Sequence, residues 1–230
     1  SLSSDDVRSI CEDRNGALWA ATFYGGINKS IKSKFTALRH EPNEPNSLVR
    51  NNVTAVWESE AAGERYILVG TREGGVTRIR FRGRREPEYT HYQHDPNNRA
   101  TLSGNSILAI RESLERRGKF WIGLDKGGLN ELDVSTGHVV RYNEQRGPDI
   151  ARNVRQIYES PLEPGVLWLG ANGGGLMQFD SRTQKFTSIQ HRSNNFLGSA
   201  LRSILQIVRL PGSPEVLSVR AGQELYGVYP

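Results

Sequence analysis

A buried-type hydrophobe on a short apolar run returns at Trp19, Leu68, Trp121, Trp168 and Leu217, and in the first four copies a glycine pair follows it. The steps between these anchors are 49, 53, 47 and 49 residues. A second anchor runs ahead of the first, at Val7, Val53, Ile107, Val154 and Ile204, each followed three residues later by Ile10, Val56, Ile110, Ile157 and Ile207. Two anchors kept in step over five copies confine the chain to a repeat architecture, in which each unit shields its neighbour's apolar face.

The copies read as strands. The second-anchor segments Val7–Glu12, Val53–Glu58, Ile107–Glu112, Val154–Glu159 and Ile204–Arg209 form a first strand, A, and the Trp-anchored runs form strand B. The pairs Gly25-Gly26, Gly74-Gly75, Gly127-Gly128 and Gly174-Gly175 turn the chain, since glycine reaches positive φ freely. Strand C follows, as in Gly128-Leu129-Asn130-Glu131-Leu132-Asp133, whose alternation suits a half-buried strand. Strand D covers Phe35–His40, Tyr89–His94, Val139–Asn143 and Phe186–His191, and Pro/Asn-rich turns such as Asp95-Pro96-Asn97-Asn98 come next. No segment sustains a helical period. Four-stranded units stacked face to face around an axis make a β-propeller. The expected fold is therefore all-β: an arc of four four-stranded blades and a fifth three-stranded one, with blades near 1–46, 47–100, 101–148, 149–198 and 199–230.

The chain opens just before strand A of copy one and stops just after strand C of copy five. The fifth blade thus lacks a strand D, and the expectation is an arc cut from a larger ring rather than five blades that close imperfectly. An arc exposes apolar blade faces that invite self-association.

Composition narrows the function classes. Charged residues are 24% and apolar residues 36% of 230, as in globular chains. The net charge of +5 is scattered apart from Arg78, Arg80, Arg82, Arg84 and Arg85, so a nucleic-acid surface is disfavoured. Cys11 is the only cysteine, which excludes an intrachain disulfide, and no apolar run approaches the ~20 residues of a membrane span. Gly173-Gly174-Gly175 has no following Lys-Ser/Thr and is no phosphate loop. The histidines His40, His91, His94, His138 and His191 recur with the repeat rather than in a zinc-ligand pattern, and no cofactor or metal is expected.

Glu12-Asp13-Arg14-Asn15-Gly16-Ala17-Leu18-Trp19, the Gly-Thr-x-x-Gly-Gly run at Gly70–Gly75, Gly127-Gly128-Leu129-Asn130, Asp95-Pro96-Asn97-Asn98 and Leu102-Ser103 together resemble the two-component regulator propeller repeat. The resemblance extends over nearly the whole chain, with departures at Ala20-Ala21 and in copy five. It implies a periplasmic or otherwise extracytoplasmic input domain of a bacterial membrane-bound sensor kinase, in a family with commonly seven-bladed propellers that answers to polysaccharide breakdown products. The implied partners are an oligosaccharide and the rest of a sensor chain (further blades, membrane segment, kinase).

In such a propeller strand A lines the axial channel. The residues just before it, Asp5-Asp6, Asn51-Asn52, Asn105-Ser106, Arg152-Asn153 and Arg202-Ser203, would ring its mouth as donors and acceptors for a hydroxyl-rich ligand. The alternative is that they bond turn backbone, as Asn, Asp and Ser do. The B–C turns present Phe23-Tyr24, Arg72-Glu73, Asp125-Lys126 and Asn172 on the same face, where an aromatic ring could stack on a sugar or merely pack on a neighbour. Glu12, Glu58, Glu112 and Glu159 recur at the end of strand A. A glycosidase would need two carboxylates about 5–10 Å apart; regular recurrence argues instead for a structural role at the A–B turn. Three functions compete in this order: a sensory ligand-binding propeller, a protein-interaction or dimerisation scaffold, and a carbohydrate-active enzyme.

Overall fold

The computed structural model describes residues 2–13, 16–31, 34–61, 64–82, 86–142, 153–172 and 175–188, and the strand backbones 204–209, 217–221 and 224–228. Every regular element among them is a strand. The first sheet holds β1 (Val7–Glu12), β2 (Leu18–Thr22), β3 (Gly26–Ile31) and β4 (Lys34–Leu38). The second holds β5 (Val53–Ala61), β6 (Glu64–Thr71), β7 (Gly75–Arg80) and β8 (Glu88–Tyr92). The third holds β9 (Ile107–Glu112), β10 (Lys119–Leu124), β11 (Gly128–Asp133) and β12 (Val139–Arg141), and the fourth β13 (Val154–Glu159), β14 (Val166–Ala171), β15 (Gly175–Asp180) and β16 (Lys185–Ser188). A three-stranded sheet of β17 (Ile204–Arg209), β18 (Leu217–Ala221) and β19 (Glu224–Val228) ends the series. Within each sheet the strands pair antiparallel in chain order, and the first strand of each sheet lies against the first strand of the next. This is the arc of blades that the repeat dictates.

The two sets of anchors meet across the seams between sheets. Trp19 of the first sheet shares an apolar cluster with Val53 and Val56 of the second. Leu68 shares one with Ile107 and Ile110 of the third, and Trp121 with Val154 and Ile157 of the fourth. The strand-A anchors of a blade therefore face the blade before it, and the strand-B anchor the blade after. Gly123 permits this approach, because a Cβ there would strike the backbone oxygen of Val154.

Turn chemistry repeats as well. In the C–D turns, burial pushes the Asp133 carboxyl up, but the Ser135 hydroxyl (2.6 Å), the N–H groups of Ser135 and Thr136, and Lys119 prevail and hold it below the ordinary carboxylate range. Asp180 accepts from the Arg182 N–H at 2.9 Å and is lowered in the same way. The D–A links use His40 and His94, whose Nδ1 atoms lie 2.6 Å from the Leu48 and Leu102 carbonyls. These two histidines clamp the connection between blades.

The glycine pairs work differently from the expectation. In the three pairs described in full, only the second glycine, Gly26, Gly75 or Gly128, has positive φ; the residue before the pair takes the left-handed conformation although it is Tyr24, Glu73 or Lys126. The first glycine is there for space: a Cβ on Gly25 would lie 2.6 Å from the Ser3 hydroxyl, and one on Gly127 2.7 Å from that of Ser103.

Candidate functional site at the axial cavity

Each inner strand carries a β-bulge at the same place. The pairing of β1 with β2 goes from Val7 to Ser9 and skips Arg8; that of β5 with β6 skips Thr54; that of β9 with β10 skips Leu108. Arg155 and Leu205 are skipped likewise in the last two sheets. A bulge leaves one residue unpaired and re-aims its side chain, which is why bulges gather beside binding sites. Here four of them meet: Arg8, Thr54, Leu108 and Arg155 line a single cavity of about 250 Å³, with Phe23, Arg72 and Gln156. Residues from four successive blades converge on one space.

The lining has a definite electrostatic character. Arg8 pairs with Asp6 at 2.6 Å and lies over the Phe23 ring at 4.5 Å. Arg72 faces Asp125 at 3.5 Å. Arg155 is exposed and has no ion-pair partner among the described residues. Thr54 is turned onto backbone, donating towards the Ile107 carbonyl at 2.7 Å and the Gly70 carbonyl at 3.1 Å. Leu108 and the Phe23 ring are the apolar part of the wall.

Of the residues predicted from sequence, Phe23 and Arg72 line the cavity. Tyr24 stands next to them, 74% exposed, with its ring edge-on to Phe23 at 4.2 Å. Asp6 contributes through its hold on Arg8, and its carbonyl accepts the Phe23 N–H at 2.8 Å. Asp5 is exposed. Asn51, Asn105 and Asn153 are engaged with backbone through their side chains. Asn51 Oδ1 accepts the His40 N–H and Asn105 Oδ1 the His94 N–H, both at 2.7 Å, while their carbonyls accept the Gly26 and Gly75 N–H groups of the preceding blade. Asn153 Oδ1 accepts the Lys126 N–H at 2.7 Å, and the Asn153 carbonyl accepts the Asn172 N–H at 3.0 Å. Asn52 places its Oδ1 in the interior without a partner. Arg152 and Arg202 lie outside the described residues. Arg8, Arg155, Thr54, Leu108 and Gln156 escaped the sequence reading, although the bulge position is simply the residue after each strand-A anchor.

Three of the four recurring glutamates have partners within the fold, while Glu12 is exposed. Glu159 is fully buried; Oε1 accepts the Gly165 N–H at 3.0 Å in its own A–B turn, and Oε2 the Leu114 N–H of the preceding blade at 2.8 Å. Glu112 repeats this with Gly118 at 3.3 Å and the Ser59 hydroxyl at 2.7 Å. Glu58 pairs with Arg65. Arg80 and Arg82 of the basic cluster are paired with Glu64 and Glu88, and Arg84 and Arg85 lie outside the described residues. A second cavity, of about 360 Å³, opens on the outer side between the second and third sheets. Its cation and phenol are engaged at that seam: Arg78 and Tyr92 both donate to the Val134 carbonyl.

Residues 1–24 match the family model for the two component regulator propeller. The first copy is thus similar to the two-component regulator propeller repeat, over 24 of the 230 residues. The propeller also superposes on the extracellular domain of a B. thetaiotaomicron protein described as a hybrid two component system, BT3049, with a TM-score of 0.80 at 22% identity, over 98% of this chain and 29% of that one. The extracellular domain of a one component system protein from the same organism, BT4673, gives 0.72 at 20% identity, over 99% and 29%. An ancestral GH74 enzyme gives 0.66 at 15% identity, over 100% and 34%. At these identities the likeness establishes the propeller fold, and the propeller spans less than a third of the two sensor chains' length. A comparison with curated protein sequences finds no match.

Proposed function

We propose that this propeller is the ligand-reading part of an extracytoplasmic sensor, and that it binds an oligosaccharide at the axial cavity rather than turning one over. The observation that carries the reading is the ring of bulges, which sends one side chain from each of four blades into a common space. Repeat proteins place recognition at such positions because the scaffold fixes direction while the side chain is free to vary. The Phe23 ring and Leu108 offer apolar surface to the C–H face of a sugar, and Gln156 offers both a donor and an acceptor to hydroxyls. The repeat at residues 1–24 and the fold shared with bacterial extracellular sensor domains support the extracytoplasmic setting and a longer chain that carries the output. Against turnover stands the engagement of Glu112 and Glu159 with backbone and hydroxyl donors.

A glycan array probed with the full chain tests this. Binding to oligosaccharides that falls by about tenfold or more in Phe23→Ala supports the reading. An array on which no glycan binds would overturn it.

One observation favours a second role beside the first. Ile10 is 64% exposed, whereas its counterparts Val56, Ile110 and Ile157 are buried against the preceding blade. The face of the first sheet that bears Ile10 and Leu18 is thus an apolar docking surface for another blade or a second copy.

A further inference from the structure

We infer that the axial cavity is an anion receptor, and that the sugar it accepts bears a carboxylate or a sulfate. This rests on the proposed reading of the cavity as the ligand site. Three guanidinium groups from three different blades, Arg8, Arg72 and Arg155, line one space of about 250 Å³. Among the described residues two carboxylates answer them, Asp6 on Arg8 and Asp125 on Arg72, and the Arg72 contact is long at 3.5 Å. Arg155 has no such partner among the described residues. The lining therefore holds one positive charge more than its partners neutralise.

The bulge sharpens this. It aims arginine inwards from two of the four blades whose side chains are described, while the third bulge residue, Thr54, is turned onto carbonyl oxygens and the fourth, Leu108, is apolar. Charged recognition at the ring thus falls to arginine. A guanidinium presents a planar fork of donors that fits a carboxylate or sulfate two-pronged, a geometry that a neutral hydroxyl cannot use fully. The cavity sits just below the ~300–1,000 Å³ of ordinary small-molecule sites, which suits one acidic ring and excludes a nucleic-acid duplex. Phe23, held under Arg8, and Leu108 supply the apolar floor for that ring.

The test titrates the full chain with D-glucuronate, D-glucose 6-sulfate and D-glucose, read by saturation-transfer NMR at about 50 and about 300 mM NaCl. At least one acidic sugar is expected to bind about tenfold or more tighter than glucose and to weaken with salt. The two acidic arms tell carboxylate from sulfate. Arg155→Ala is expected to reduce that binding about tenfold, Arg155→Lys to restore part of it, and Arg182→Ala, in an outer turn, to leave it unchanged, with near-UV circular dichroism reporting the fold of each variant. Glucose binding as tightly as both acids, or acidic binding insensitive to salt and to Arg155→Ala, overturns the inference. If neutral oligosaccharides bind and Phe23→Ala abolishes that binding, the inference falls while the ligand site stands. If no sugar of any kind binds, both fall.

Discussion

Glu159 shows how one residue type can serve two blades. Its carboxylate ties the A–B turn of its own blade to the backbone of the blade before it, from a position with no solvent exposure. Each buried N–H left without an acceptor costs about 1–3 kcal/mol. Glu159→Ala is therefore expected to lower stability by about 3 kcal/mol, as measured by urea unfolding, whereas the exposed Glu163→Ala should change it by less than about 0.5 kcal/mol. A fall below about 1 kcal/mol for Glu159→Ala would contradict the staple. The recurrence of this glutamate is plain in the sequence, and so is the inference that recurrence means structure. The partner across the seam is not, because Leu114 lies 45 residues away and only the stacking of sheets brings it near.

At the scale of the strand, the anchors reported the fold and the residues between them reported the site. Val53, Ile107 and Val154 are legible as core because burial demands a hydrophobe in every copy. The residue after each anchor is arginine, threonine, leucine or arginine, and that lack of pattern conceals its common direction. A period-2 reading of strand A puts it on the face opposite the anchor; the bulge is what turns it to the axis, and a bulge leaves no sequence mark when its residue is not glycine. Of the polar pairs before strand A, Asn51 and Asn105 close the seams through backbone bonds. Strand B carries the complementary constraint. Gly123→Ala would set a methyl group against the backbone carbonyl of Val154, while Gly70→Ala would meet the Cγ2 methyl of the buried Ile107, a side-chain atom that yields more readily than backbone. Gly123→Ala is expected to cost about 2–3 kcal/mol in urea unfolding and Gly70→Ala about 1 kcal/mol less. Equal costs would show that the two seams are not packed as described.

For the whole molecule, the sheets are joined by side-chain layers and by backbone bonds that repeat from seam to seam. Trp19 with Val53, Leu68 with Ile107, and Trp121 with Val154 form one series of contacts; Asn51 to Gly26 and Asn105 to Gly75 form another. Both turn the chain the same way at every step, so residues far apart in sequence are brought to one axis. Arg8 and Arg155 are 147 positions apart by number and line the same cavity. The central claim is that convergence. It is tested most directly by replacing Cys11 with serine, introducing the pair Arg8→Cys and Arg155→Cys, and treating the chain with a short bis-maleimide at a concentration that keeps it monomeric. The structure predicts an intramolecular bridge between positions 8 and 155, seen as a linked peptide pair after digestion, and none for the pair Arg8→Cys and Arg182→Cys, whose second position is in an outer turn. Absence of the first bridge, or equal yield of both, would contradict a common axis.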